Sequence, residues 1–413
     1  MKMTKFSGVL LACVLSVLSL QAMAADAGKH WVATWGASPF VFRGFGNAPA
    51  PAPFSNQTLR EKLRISVGGD QVRVRFSNEL GSEPLVIGGA TLALADKESA
   101  IVPASLRTLT FSGQKGITIP PGAPALSDPV DLKVSDLAEL DVSVYLPQAT
   151  KPDTAHVGRT AYVSTAGDFT QSAALEGSTL VASHYFLTGV YVNTADKVAV
   201  VVTYGDSITD GTASTPHSFR SWPDNLAARF AKGVNGRKLA VVNAGISGNQ
   251  VLLDGAGVSA LARFDRDVLA NPGLSHIVLL EGINDIGTGG RSVPGATAPA
   301  QAERTPADLI SGYRQLIARA HANGIKIIGA TLTPFAGAFA GYYTPAKDEV
   351  RVALNKWIRE SGEFDAVIDF EAAVRDAGNP RVIKKEYDSG DKLHPGDAGY
   401  KQMAESIDPA VFK

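Results

Sequence analysis

Four short polar blocks of the sequence hold the residue types that acyl transfer requires. They are a Gly-Asp-Ser tripeptide ending at Ser207, a segment rich in glycine and asparagine around Gly245, an Asn-Asp pair beginning at Asn284, and an Asp-Lys-Leu-His stretch from Asp391 to His394. A serine hydroxyl is a weak nucleophile at neutral pH and needs a base within hydrogen-bond reach. His394 can take the proton, and Asp391 can fix the tautomer of the histidine and stabilise the imidazolium that forms.

Acyl transfer also needs hydrogen-bond donors aimed at the developing oxyanion. We expect the backbone N–H groups of Ser207 and Gly245 and the side-chain amide of Asn284 to form this oxyanion hole. Each block taken alone is as typical of a turn, since glycine and asparagine tolerate left-handed backbone. Catalysis is favoured because three blocks follow successive predicted strands and the fourth follows the last strand.

The second half of the chain has the pattern of a parallel sheet covered by helices on both faces. Its nearly continuous apolar strands are predicted at residues 198–203, 239–242, 277–280, 325–330 and 366–370. Helices are predicted near residues 224–232, 259–269, 306–322 and 346–361. For the third helix, Thr305 is a suitable N-cap and Gly324 a suitable end. Ligand sites of such folds lie at the carboxyl ends of the strands, where we expect the four blocks to meet.

The first half, from Trp31 to about Tyr191, alternates apolar and polar residues with the period of two that is typical of strands. Short strands are predicted at residues 63–67, 72–76, 84–87, 106–111, 117–119, 140–145 and 180–181. The Gly68-Gly69-Asp70 turn predicts that the first two pair as a β-hairpin. Many short strands without helical periodicity predict a β-sandwich, jelly-roll-like in arrangement.

With these blocks in this order, the second half resembles the SGNH hydrolases, also called GDSL esterases. The family is named for four blocks that here supply Ser207, Gly245, Asn284 and His394, with Asp391 three residues before the histidine. The resemblance covers residues 197–413. It implies a flavodoxin-like three-layer α/β/α domain with five parallel strands, and a serine esterase with a catalytic triad of Ser207, Asp391 and His394 and no metal or other cofactor.

The first half also looks like the β-domain of longer secreted bacterial members of that family, beginning with the Trp-Val-Ala-Thr-Trp segment at Trp31. Tyr204 departs from the family, which more often has an aliphatic residue or phenylalanine before Gly-Asp-Ser, and we expect it to affect the shape of the pocket. The predicted organisation is a β-sandwich domain over residues 25–194 and a hydrolase domain over residues 195–413.

The N-terminal residues have the features of a secretory signal peptide. Lys2 and Lys5 precede a largely apolar run, and Ala22-Met23-Ala24 has the small-x-small pattern of a signal-peptidase site. The apolar run is shorter than the roughly 20 residues that span a bilayer. We expect residues 1–24 to be cleaved near Ala24 and the protein to be secreted or periplasmic, with no stable membrane anchor. A lipid anchor on Cys13 is an alternative, but the apolar run continues past that cysteine.

Composition and the remaining motifs exclude several classes of function. The 39 basic and 40 acidic residues give a net charge of −1, which does not favour nucleic-acid binding. The sequence has no zinc-protease, P-loop or Rossmann motif and no G-x-S-x-G elbow. Among the other histidines, we expect structural roles for His276 and His321 and a pocket position for His217. Surface positions are expected for the remaining three, which are His30, His156 and His184.

These observations favour a secreted esterase acting on a small-molecule or polysaccharide ester, with short acyl or acetyl groups as the expected substrates. The loops at 287–300 and 335–343 are expected to shape the acyl or alcohol site. A lipase or lysophospholipase is the alternative within the same chemistry. A non-catalytic carbohydrate-binding protein is the alternative from another class, in which Trp31 and Trp35 would stack on sugar rings rather than pack inside the fold.

Overall fold

The computed structural model describes residues 28–41, 52–290 and 301–413. The predicted signal segment with Cys13 lies outside the described residues, as does the 291–300 part of the predicted 287–300 loop. The first half of the described chain contains thirteen strands, which are β1 (His30–Gly36), β2 (Gln57–Arg64), β3 (Gly69–Ser77), β4 (Leu85–Ile87), β5 (Gly89–Leu94), β6 (Arg107–Leu109), β7 (Ile117–Ile119), β8 (Pro124–Leu126), β9 (Val130–Val134), β10 (Glu139–Leu146), β11 (Ala155–Ala166), β12 (Thr179–Tyr185) and β13 (Leu187–Thr194).

These strands form two main antiparallel sheets. One has the order β1-β13-β3-β8, with β9 also paired to β3, and the other has the order β12-β11-β2-β10-β5-β6; β4 and β7 form a separate pair. In β3, Val72, Val74 and Phe76 are buried while the residues between them are only half-buried. This alternation follows from the period of two along a strand, and it confirms the predicted β-rich first half.

The predicted hairpin at Gly68-Gly69-Asp70 is wrong. Strand β2 pairs with β10 and β11 in one sheet, whereas β3 pairs with β13, β8 and β9 in the other. The chain crosses between sheets because the intervening residues bond elsewhere: Ile65 N–H donates to Ala138 O at 3.0 Å and Ser66 N–H to Thr34 O at 3.0 Å. A Cβ at Gly68 would lie 2.2 Å from Val134 O, so this glycine serves a close backbone approach rather than a tight turn.

The second half is built on a parallel five-stranded sheet with the order β15-β14-β16-β17-β18. Its strands are β14 (Val198–Gly205), β15 (Lys238–Gly245), β16 (Leu274–Leu280), β17 (Lys326–Ala330) and β18 (Ala366–Ile368). The α-helices described here are α1 (Ser207–Asp210), α2 (Trp222–Arg229), α3 (Ala260–Phe264), α4 (Ile283–Thr288), α5 (Pro306–Ala322), α6 (Pro345–Glu360), α7 (Phe370–Val374) and α8 (Asp397–Ser406). The predicted α/β fold with five parallel strands is confirmed.

Two features of the helices bear on the predictions. Helix α5 has the predicted bounds, and Thr305 and Asp308 form a reciprocal capping box at its start. Helix α3 continues into a π-helical turn over Asp265–Leu269, so the predicted 259–269 helix is irregular in its second part. No helix within the described ranges is long and apolar enough to cross a membrane.

The two halves are packed against each other through strand β1 and the loop after β2. Ala33 N–H donates to Pro272 O at 2.9 Å, and Val241 N–H in β15 donates to Ser66 Oγ at 3.0 Å. Buried residues of both halves belong to one continuous hydrophobic cluster. The first half therefore contacts the sheet that carries the predicted catalytic blocks.

Candidate active site

The register of the parallel sheet brings the first three blocks to one edge. Gly205 at the end of β14 lies opposite Gly245 at the end of β15 and Leu280 at the end of β16. Ser207, Asn284 and the loop after Gly245 follow these residues directly. Parallel neighbours align their carboxyl ends, which explains how blocks separated by about forty residues form one site.

Ser207 is the first residue of the short helix α1. Asp206 is the N-cap, and its Oδ1 accepts a hydrogen bond from Ile208 N–H at 2.9 Å. A Cβ at Gly205 would lie 2.2 Å from Leu280 O and 2.3 Å from Thr209 Oγ1. Only glycine fits this position, and the sharp turn from strand to helix then places the serine at the edge of the sheet.

The Ser207, His394 and Asp391 side chains are connected in one line. His394 Nε2 lies 2.8 Å from Ser207 Oγ, and His394 Nδ1 lies 2.6 Å from Asp391 Oδ2. Ser207 is 5% exposed and His394 8% exposed. Because a carboxylate only accepts hydrogen bonds, Nδ1 donates to Asp391, and Nε2 is left to accept the serine proton. This is the geometry that a general base and its orienting carboxylate need.

Asp391 is held in its ionised form by the loop around it. Partial burial alone would raise its pKa, but the side chain of His394 and the backbone N–H groups of Leu393 and His394 hold the pKa of this carboxyl well below its usual range. The two backbone donors lie 2.9 and 2.8 Å from Asp391 Oδ1. A charged carboxylate is therefore available to stabilise an imidazolium on His394.

Asn284 is held in one amide orientation. Its Nδ2 donates to Asn249 O at 2.8 Å, and its Oδ1 accepts a hydrogen bond from Tyr342 Oη at 2.8 Å. The second Nδ2 hydrogen remains available, as does the Ser207 N–H at the start of α1, which has no hydrogen-bond partner within the described ranges. Both predicted donors are thus present at the sheet edge that carries Ser207.

The structure places Gly245 differently from the prediction. Its N–H donates to Asn243 Oδ1 at 2.9 Å, so this amide is already used within its own loop. A Cβ here would lie 2.4 Å from Asp210 N, which makes Gly245 a contact residue between β15 and α1. Three residues later, Gly248 has a φ of 81°, and its N–H has no partner in the part of the chain that the structure describes.

Arg263 hydrogen-bonds to the ends of β14 and β15 and so supports the site. No sequence motif had identified this residue. This arginine is 1% exposed; it donates to Gly205 O at 2.9 Å, to Ala244 O at 2.7 Å and to Asn249 Oδ1 at 2.8 Å. Its guanidinium lies 4.2 Å from the ring centroid of Tyr204, which is fully buried. Tyr204 therefore shapes this support rather than an open pocket.

Four buried carboxyl groups lie at or near the active-site loops, and two of them contact this arginine. Burial raises the pKa of Asp206 to about 7 and that of Asp285 to about 6, and it raises the pKa of Glu281 well above its usual range. Glu281 lies 3.5 Å from Arg263, whereas Asp267 lies 3.1 Å from the same guanidinium and its pKa is lowered despite burial because Arg266 and Arg263 contact it. The charge of Arg263 is thus balanced mainly by Asp267.

The other histidines divide between the two halves. His156 and His184 are each 1% exposed, so their predicted surface positions are wrong. His156 contacts Asp210 of the second half, and His184 bonds Lys62 O and Thr160 O within the first half. His30 is exposed. His217 lines a cavity of about 340 Å³ between the halves, and its Nδ1 lies 2.5 Å from Thr160 Oγ1.

His276 is buried beside Phe412, and His321 bonds Asp365 at 2.9 Å. These contacts are structural in kind. Among the described residues no group of three His, Cys, Asp or Glu side chains could hold a metal ion. Of the two tryptophans that could have stacked on sugars, Trp35 is buried against His184, whereas Trp31 is half-buried under Arg73.

Residues 203–402 match the family model described as GDSL-like lipase/acylhydrolase. The C-terminal domain belongs to this family. The match covers all four blocks, and it identifies the protein as a carboxylic ester hydrolase. No curated protein matches the chain.

Several solved structures are similar to the second half of this chain. A carbohydrate acetylesterase from Sinorhizobium meliloti is 19% identical, covers 51% of this chain and 96% of its own, and has a TM-score of 0.38. A mutant acetyl-xylooligosaccharide esterase from Geobacillus is 22% identical, with coverages of 50% and 91% and a TM-score of 0.38. A GDSL-like lipase from Bacteroides thetaiotaomicron is 21% identical, with coverages of 51% and 87% and a TM-score of 0.35.

Proposed function

We propose that this ester hydrolase is an exported serine esterase that forms an acyl-enzyme on Ser207. The observation that carries the proposal is the line of hydrogen bonds from Ser207 Oγ through His394 to Asp391, with separations of 2.8 and 2.6 Å. Ser207 Oγ attacks the ester carbonyl carbon while His394 Nε2 takes the hydroxyl proton. Asp391 stabilises the imidazolium that results.

Hydrogen-bond donors at the same edge of the parallel sheet stabilise the negative charge that develops on the carbonyl oxygen. We assign the Ser207 N–H and the free Asn284 Nδ2 hydrogen to this role. The third donor is the N–H of Gly248 rather than that of Gly245, because Gly245 already donates to Asn243. Gly248 precedes Asn249, whose carbonyl holds the Asn284 amide at 2.8 Å, so its loop lies beside the second donor.

The reaction then completes in two steps. The tetrahedral intermediate expels the alcohol, which receives the proton from His394, and leaves the acyl group on Ser207. A water molecule, deprotonated by His394, attacks the acyl-enzyme and releases the carboxylic acid, while the proton returns to Ser207 Oγ. This sequence uses only groups of the protein and water.

Short acyl groups are the proposed substrates, and the packing beside Asn284 supports this choice. Tyr342 is 3% exposed and bonds Asn284 directly, and its ring packs at 6.0 Å from that of the buried Phe335. A Cβ at Gly287 would lie 2.2 Å from the Tyr342 ring. The side chains of Tyr342 and Phe335 therefore limit the space next to the Asn284 amide, the proposed hydrogen-bond donor to the oxyanion. The predicted signal segment at residues 1–24 supports the proposed export.

The test is a chain-length series of p-nitrophenyl esters, run beside acetylated xylan and a lysophospholipid, for the natural protein and Ser207→Ala. We expect acetate and butyrate esters to be hydrolysed fastest and Ser207→Ala to lose turnover by roughly 10³-fold or more. A preference for long acyl chains or lysophospholipid would replace the short-chain assignment by the lipase alternative. Undiminished turnover in the Ser207 variant would contradict the mechanism itself.

A further inference from the structure

Asp210, the last residue of α1, is held by side chains from the first half of the chain. His156 Nε2 lies 3.0 Å from Asp210 Oδ1, and an Arg159 guanidinium nitrogen lies 2.9 Å from the same oxygen. The other carboxylate oxygen accepts a hydrogen bond from Ser247 Oγ at 2.7 Å. Asp210 is 6% exposed and His156 1% exposed, whereas Arg159 and Asp210 also line the cavity between the halves.

Both ring nitrogens of His156 contact an oxygen atom. Its Nδ1 lies 2.7 Å from the backbone oxygen of Ser38, and its Nε2 faces the Asp210 carboxylate. Both partner oxygens accept hydrogen bonds, so each ring nitrogen faces an acceptor. Burial alone would raise the pKa of Asp210, but His156 and Arg159 hold it well below its usual range. The contact is therefore a charged, directional one, stronger than a neutral hydrogen bond.

Asp210 is connected in turn to both loops of the active site. Its backbone N–H donates to Asp206 O at 2.8 Å, which closes the single turn that carries Ser207. Ser247, bonded to its carboxylate, also lies 2.8 Å from Thr212 Oγ1 just beyond α1 and directly precedes Gly248. A shift of Asp210 would thus move the nucleophile and the loop of a proposed oxyanion donor relative to each other.

We infer that His156 and Arg159 are positioning residues, through which the β-rich first half fixes Asp210 and thereby the orientation of Ser207 towards His394. This inference rests on the proposed role of Ser207. It gives the first half a part in catalysis that requires no contact with substrate. The competing explanation is that these side chains only stabilise the fold.

A pair of arginines separates the two explanations. Arg159 and Arg75 both belong to the first half, have side chains 17% and 15% exposed, and pair with a carboxylate at 2.9 Å. Arg75 bonds Glu79 within its own half, so Arg75→Ala is the matched control. Turnover and KM with p-nitrophenyl acetate are measured per active site, counted with a fluorophosphonate, together with the melting temperature.

A misplacement of about 1 Å can cost about 100-fold in turnover. We expect Arg159→Ala to lower kcat per active site by about 10- to 100-fold with KM changed less than about threefold, and Arg159→Lys to recover most of the loss because it keeps the charge. Arg75→Ala should lose a similar amount of thermal stability with kcat unchanged. A kcat for Arg159→Ala equal to that of Arg75→Ala would overturn the inference.

His156→Gln provides an independent variant if Arg159→Ala does not fold. Glutamine can donate to Asp210 or to Ser38 but cannot bridge both, and we expect its kcat to fall in the same way with labelled sites retained. Retention of full kcat would count against the inference. Failure of the proposed function would be recognised separately, as turnover that survives Ser207→Ala in an otherwise unchanged chain.

Discussion

Replacing Asn284 by aspartate tests whether this side chain must donate to the oxyanion. In the structure, Nδ2 bonds Asn249 O and Oδ1 bonds Tyr342 Oη, each at 2.8 Å. An aspartate has nearly the same shape, but it would place an acceptor against the carbonyl of Asn249 and a negative charge where the oxyanion forms. The substitution thus removes the donor and adds repulsion while it changes little in size.

The expected loss follows from the loss of one oxyanion-hole donor, which typically lowers kcat by about 10²- to 10³-fold, or about 3 to 4 kcal/mol. We expect Asn284→Asp to lose at least as much as Asn284→Ala. Tyr342→Phe removes the hydroxyl that bonds Asn284 Oδ1 at 2.8 Å and Ile283 O at 3.2 Å but keeps the Asn284 amide, and it should cost less, about tenfold. The assay is kcat/KM with p-nitrophenyl acetate, corrected for active sites by fluorophosphonate titration. An aspartate variant within about threefold of the natural enzyme would refute the donor role.

Three further predictions concern the orienting carboxylate, a buried acid and a close glycine contact. Asp391→Asn should lower kcat by about 10²- to 10⁴-fold because the amide favours the wrong histidine tautomer; stopped-flow or steady-state hydrolysis measures it, and a loss below about fivefold would argue against the triad. Burial raises the pKa of Asp141 from 3.8 to about 7, so the native state binds this proton more tightly than the unfolded chain. Its contribution to the free energy of unfolding, up to about 4 kcal/mol, is present below pH 4 and is lost as the pH rises through 7. Asp141→Asn should therefore gain melting temperature relative to the natural protein between pH 5 and pH 8.5, whereas a constant difference would contradict the assignment. Gly245→Ala should lower both kcat and the melting temperature, by roughly 1–3 kcal/mol in stability, since its Cβ would lie 2.4 Å from Asp210 N; the control Gly89→Ala, whose Cβ would meet only Asp168 Oδ2 at 3.8 Å, should leave kcat unchanged.

Local sequence signals predicted the elements of the second half well. Helix α5 has its predicted bounds because Thr305 and Asp308 cap it reciprocally and a proline occupies its first position. The apolar strands were readable because strands buried on both faces have long apolar runs. The structure brings together at one sheet edge the four residues that the family blocks singled out, Ser207, Asn284, Asp391 and His394. Their catalytic roles stay predictions.

The errors arose where long-range packing decides the outcome. Strands β2 and β3 are separated by a turn-like sequence, but the residues between them hydrogen-bond to Thr34 O and Ala138 O. The chain therefore crosses from one sheet to the other instead of forming a hairpin. Strand β11 was missed because its pattern is interrupted at Gly158, which has a φ of 77° where the pairing with β12 shifts register. Neither feature has a local sequence signal strong enough to identify it.

In the site as well, some residues could be identified from the sequence and others only from the structure. Gly245 and Gly248 are three residues apart in one block, and only the structure distinguishes the glycine that packs against α1 from the one with an unused N–H. Arg263 and His156 reach the site from helix α3 and strand β11, with no motif around either residue. Their partners are backbone oxygens, the Asn249 side chain and carboxylates, most of which lie far away in the sequence, so the sequence offers no pattern that would have identified them.

The most direct test of the account is covalent trapping of the nucleophile. A fluorophosphonate is incubated with the natural protein and with Ser207→Ala, and the modified residue is mapped by peptide mass spectrometry while ester hydrolysis is followed in the same sample. If Ser207 is the nucleophile, we expect one label per chain on Ser207, loss of hydrolysis in step with labelling, and much slower labelling in His394→Ala. A label on another residue that abolishes activity, or equal labelling of the Ser207 variant, would contradict it.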